Sequence, residues 1–76
     1  MSHAQAVLTE VWADVLGVEN VDVNDDFFDL GGTSLALVHM FARANERLGT
    51  SVVVGVVSQG VTIAALAPHF EKVASN

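Results

Sequence analysis

The sequence predicts an all-α fold, a small bundle of three to four helices whose first two members are joined by a long, ordered loop. Apolar residues recur at three- and four-residue spacing in the stretches 4–16, 37–48 and 63–73, the inward stripe expected of amphipathic helices. The connection at residues 17–33 is too rich in apolar side chains to be disordered. The one stretch of strand composition, residues 52–57, has no convincing partner strand elsewhere. The 76 residues bound the chain to one domain, residues 1–76, and 51% apolar against 16% charged residues demands a single core.

In the first helix Ala4, Val7, Leu8, Val11, Trp12, Val15 and Leu16 form one apolar face, with Gln5, Thr9, Glu10 and Asp14 largely opposite. Gly17 is placed to end it. Residues 17–33 follow without helical period and exceed the ~12–15 residues usual for a structureless loop. Val18, Val21, Val23, Phe27, Phe28 and Leu30 therefore predict a packed loop, with one short turn around Asp26 to Phe28 and at least one of the two phenylalanines buried.

The second helix is predicted from Ser34 or Leu35 to Leu48, stopped by Gly49, with Leu37, Met40, Phe41, Ala44 and Leu48 inward. Arg43 and Arg47 lie in its C-terminal half, where cations suit the helix dipole. Leu35, Val38, His39 and Ala42 are left on a mild, weakly apolar outer side. Thr62 is placed to cap a last helix bearing Ile63, Leu66, Phe70 and Val73. Pro68, at its sixth position, predicts a kink or an early end.

Composition narrows function. Without cysteine there is no disulfide scaffold, thiolate metal site or cysteine nucleophile. Three lysines and arginines against nine acids, for a net charge of −6, argue against nucleic-acid and anionic-membrane partners. The longest apolar stretch, residues 52–57, is far too short to span a bilayer. The expectation is a cytoplasmic monomer that is bound or acted upon. His3, His39 and His69 lack the close spacing of a metal site. Asp22, Asn24 and Asp26 lack the glycine and glutamate of a calcium loop, and read as a solvated loop face.

The informative string is Asp26-Phe27-Phe28-Asp29-Leu30-Gly31-Gly32-Thr33-Ser34-Leu35. Adjacent glycines permit backbone conformations that other residues resist and leave the helix start uncrowded. Ser34 then sits where unpaired N–H groups and the helix dipole favour negative charge, so its hydroxyl could carry a phosphate ester. The same residues also suit a cap, with Thr33 or Ser34 satisfying the first turn; on the residues alone, the cap is the stronger reading. A hydrolytic role for Ser34 is weak. His39, five residues on, lies ~140° around the helix axis, and Leu35-Ala36 after Ser34 breaks the Gly-x-Ser-x-Gly pattern.

Phe27-Phe28-Asp29-Leu30-Gly31-Gly32-Thr33-Ser34-Leu35 resembles the attachment motif of phosphopantetheine-binding carrier proteins, specifically the peptidyl carrier (thiolation) domains of nonribosomal peptide synthesis. Val11-Trp12, Val15 to Val18, Thr62-Ile63 and Leu66-Ala67 extend the resemblance over nearly the whole chain. It implies that Ser34, supported by Gly31, Gly32, Thr33 and Leu35, receives 4′-phosphopantetheine from coenzyme A through a phosphopantetheinyl transferase. The arm would hold an aminoacyl or acyl thioester loaded by an adenylation or acyl-loading enzyme and used by condensation or tailoring enzymes, with no catalysis by the chain itself. The outer stripe Leu35, Val38, His39 and Ala42 would form the partner-docking patch.

Thr33 before Ser34, and a second helix with Glu46 as its lone acid, favour the peptidyl over the fatty acid class. The alternatives are an acyl carrier of a polyketide or hybrid pathway, or an unmodified helical interaction domain. The chain departs from the family pattern at Val53 and Val61, where prolines are common, at Ser58, where phenylalanine is usual, and at Pro68. A short, distorted or mobile third helix is expected as a result. The compact ends suggest a free-standing carrier.

Overall fold

The computed structural model describes residues 2–57 and 60–74, with side chains as far as residue 71. Three helices form: α1 (His3–Leu16), α2 (Ser34–Leu48) and α3 (Ile63–Ala74), with one 3₁₀ turn (Val54–Val56) between α2 and α3. Among the described residues there is no strand.

Local signals account for the helix ends. The Ser2 side chain accepts from Gln5 N at 3.1 Å and Gln5 reaches back to Ser2 N, a capping box that opens α1. Ser2 Oγ also donates to the Glu71 carboxylate, linking the start of α1 to α3. Gly17 and Gly49 both end their helices in the left-handed region, at φ 67° and 66°. Thr62 Oγ1 accepts from Ala65 N at 3.1 Å, so the predicted cap of α3 is present.

The core joins Ala4, Val7, Leu8, Val11 and Trp12 of α1 to Leu37, Met40, Phe41 and Ala44 of α2 and Ile63, Leu66, Ala67 and Phe70 of α3. Leu48, expected inward, is only half-buried against the edge of this cluster. The expected Val73 contact and the departure at Ser58 lie outside the described side chains. Pro68 does not end α3, which runs on to Ala74. The ring is exposed, while Leu66 and Ala67 before it and Phe70 after it are buried. Burying them offsets the lost donor and the poor local geometry, a tertiary override of propensity.

The expected distorted third helix is a 3₁₀ turn with no side-chain cap. It is tethered by Asn45, whose Oδ1 accepts from Val52 N (2.9 Å) and Thr50 Oγ1 (2.7 Å) and whose Nδ2 donates to Val52 O (2.9 Å). A valine-rich segment that can complete neither a helix nor a sheet is thereby fastened to α2 by one side chain.

The first loop contains two turns where the sequence predicts one. Asp25 N donates to Asp22 O (3.0 Å), and Asp22 Oδ1 accepts from Asn24 N (2.8 Å), the side-chain turn typical of aspartate. The second runs over residues 26–32, with Leu30 N to Asp26 O and Gly32 N to Phe27 O, both 3.1 Å. Phe27 is fully buried beneath it, edge-on to Trp12 with centroids 5.1 Å apart. Backbone bonds from Phe27 N to Val61 O (2.8 Å) and from Ala64 N to Val23 O (2.9 Å) fix the loop to the start of α3.

Candidate functional site at the start of α2

The turn over residues 26–32 leads the chain into Ser34. Gly31 adopts φ 97°, which a side chain would strain. Gly32 is needed for a different reason: a Cβ there would lie 2.3 Å from Phe27 Cε2 and 2.8 Å from Phe27 O. The chain passes flat over the buried ring and then turns into the helix.

Thr33, in extended backbone, is the N-cap of α2, and its Oγ1 accepts from Ala36 N at 3.1 Å. Thr33 O accepts from Leu37 N at 2.9 Å. Of the two candidate caps, Thr33 takes the role and Ser34 becomes the first helical residue. The Ser34 side chain is exposed and has no hydrogen bond to any described residue. A free hydroxyl at a helix N-terminus, where backbone N–H groups favour negative charge, fits a phosphate ester.

Leu35, Val38, His39 and Ala42 are all exposed along the outer side of α2, with Leu35 at 66% and Val38 at 52%. Two further apolar side chains are exposed, which the sequence did not indicate. Phe28 is 45% exposed, its neighbour Phe27 having taken the core position, and Val53 is 66% exposed at the entry to the 3₁₀ turn. Nothing local distinguishes Phe27 from Phe28; the bundle chooses between them.

Asp26 corrects the expectation of a solvated acidic face. It is half-buried, its Oδ2 accepts from Phe28 N and its Oδ1 from Val61 N, both at 3.3 Å. Asp22 and Asp25 likewise spend their carboxylates on turn amides. Arg47 pairs with Glu10 at 2.8 Å in an exposed bridge, worth little in water.

The family model described as "Phosphopantetheine attachment site" matches residues 6–70. The chain belongs to this family. Its members carry 4′-phosphopantetheine covalently, and this chain is a carrier domain of that kind. Among curated relatives, it is 36% identical over 72 residues to syringomycin synthase SyrB1 of Pseudomonas syringae pv. syringae, covering 95% of this chain and 12% of the relative. It is 41% identical over 64 residues to tyrocidine synthase 3 of Brevibacillus parabrevis, covering 84% of this chain and 1% of the relative. The carrier domain thus spans only a small fraction of these relatives' length.

Two of the solved structures that share its fold are McyG A-PCP and BlmI. One, the McyG A-PCP complexed with phenylalanyl-adenylate, superposes with a TM-score of 0.82 at 26% identity, over 92% of this chain and 11% of that one. The other, BlmI of Streptomyces verticillus, a type-II acyl-carrier-protein involved in bleomycin biosynthesis, gives 0.81 at 25% identity, over 91% of this chain and 83% of that one. Among the described residues, no helix is long and apolar enough to cross a membrane.

Proposed function

We propose that residues 1–76 form a peptidyl carrier domain in which Ser34 is the attachment point for 4′-phosphopantetheine. The observation that carries this is the division of labour at the start of α2. Thr33 satisfies the helix, so the exposed Ser34 hydroxyl is free to be esterified. When bound, the arm supplies a terminal thiol on which an aminoacyl or acyl group is held as a thioester.

The chain's own residues present and do not catalyse. Gly31 and Gly32 shape the turn, Thr33 caps the helix, and Leu35 flanks the hydroxyl with exposed apolar surface. The partners in this reading are a phosphopantetheinyl transferase, an adenylation or acyl-loading enzyme, and condensation or tailoring enzymes. The likeness to the adenylation-linked McyG structure and to peptide synthases supports an adenylation enzyme as the loader. Leu35, Val38, His39 and Ala42 form the docking patch, and the setting is the cytoplasm, where coenzyme A is at hand.

Incubation with coenzyme A and a broad-specificity phosphopantetheinyl transferase should add one phosphopantetheinyl mass, and fragmentation should place it on Ser34. Ser34→Ala should abolish the addition. An unmodified wild-type chain beside a carrier that is modified in the same tube refutes the reading. The likeness to BlmI keeps an acyl carrier as the second reading. That form shares the modification, and differs in being loaded by an acyl-transfer enzyme.

A further inference from the structure

Asp26 does more than close its own turn. Its Oδ2 accepts from Phe28 N inside the turn, while its Oδ1 accepts from Val61 N, 35 residues away at the approach to α3. Val61 is held through its carbonyl too, since Val61 O accepts from Phe27 N at 2.8 Å. From Phe27 the connection continues: Phe27 O accepts from Gly32 N, and the Phe27 ring lies where a Cβ on Gly32 would be. Gly32 is two residues from Ser34. A continuous path of hydrogen bonds and close packing therefore runs from the α3 approach to the residue that aims Ser34.

We propose that Asp26 is a positioning residue for Ser34, holding the turn that delivers it against the start of α3 through the Val61 N–H. The assignment rests on the reading of Ser34 as the attachment point. It depends on residue 61 having an amide hydrogen. Val61 supplies one, whereas a proline, the residue the family resemblance favours there, has none. In solution the turn is therefore pre-ordered, and an enzyme that acts on Ser34 need not order it on binding.

The test uses the full chain, with coenzyme A and a broad-specificity phosphopantetheinyl transferase as the probe. Initial rates are read by intact mass across carrier concentrations, at a temperature where circular dichroism shows every variant folded. Asp26→Ala should raise the apparent KM for the carrier about 3- to 10-fold, the range of a lost hydrogen bond, with kcat within about twofold of wild type. Val61→Pro removes the donor but keeps the carbonyl that receives Phe27, so it should raise KM by itself. Asp26→Ala should then add less than it does alone.

An unchanged KM in folded Asp26→Ala overturns the assignment. So does an undiminished Ala effect in the Val61→Pro background. Proline restricts the residue before it, and Gly60 sits at φ 73°. If Val61→Pro does not fold, amide exchange decides. The Val61 amide should lose protection in Asp26→Ala, and protection equal to wild type overturns the assignment. A wild-type chain left unmodified, or modified at another residue, refutes the carrier reading itself. Modification at Ser34 with an unmoved KM refutes only the role of Asp26.

Discussion

Gly32→Ala tests whether the turn before Ser34 is shaped by steric exclusion. The added Cβ would lie 2.3 and 2.4 Å from Phe27 Cε2 and Cδ2 and 2.8 Å from Phe27 O. Ordinary carbon contacts begin near 3.5 Å, so more than 1 Å must be found. The ring has little room to retreat, being fully buried and edge-on to Trp12. Moving the carbonyl would break its bond to Gly32 N. Overpacking a core costs about 1–3 kcal/mol, and a clash with both ring and backbone belongs in the upper half, about 2–3 kcal/mol. Against a whole stability of ~4–11 kcal/mol for a chain of this length, that is a large fraction. At roughly 4–8 °C per kcal/mol, Tm should fall by about 8–24 °C. Thermal and urea unfolding, followed by circular dichroism and Trp12 fluorescence, measure it.

Gly31→Ala supplies the control. Its Cβ would meet nothing within 4 Å, so only the strain of φ 97° is added, about 1–2 kcal/mol. Trp12 emission should move in Gly32→Ala, because Phe27 is displaced, and stay put in Gly31→Ala. A Gly32→Ala protein melting within about 3 °C of wild type, with an unaltered Trp12 spectrum, refutes the steric argument.

Thr33→Ala removes the α2 cap and should cost about 1 kcal/mol in urea unfolding, while Ser34 is still modified, because the two residues have separate tasks. Asn45→Ala leaves the Val52 amide and carbonyl and the Thr50 hydroxyl without their partner. It should cost about 1–3 kcal/mol, and amide exchange should show residues 50–57 opening before α1 and α2. Pro68→Ala restores a donor to the Ala64 carbonyl without disturbing the core, since Pro68 is exposed. It should stabilise the domain by about 1–3 kcal/mol, and a lower urea midpoint would contradict the account given for α3.

The sequence by itself determined the three helices, where they start and where the first two stop. Helix periodicity, Gly17, Gly49 and Thr62 act over one or two turns of chain, so they can be read without knowing what lies opposite. The motif likewise located Ser34 at the start of α2, where the structure has it. Other features were decided by contacts between distant segments. Phe27 rather than Phe28 went inside because its ring meets Trp12. Asp26 left the solvated face for Val61, Asn45 fastened a segment with no regular structure to complete, and α3 continued through Pro68 to bury Phe70. The physical reason is one of range. Backbone propensity and capping are settled within a few residues, whereas each of these choices depends on a partner that only the folded bundle brings within reach.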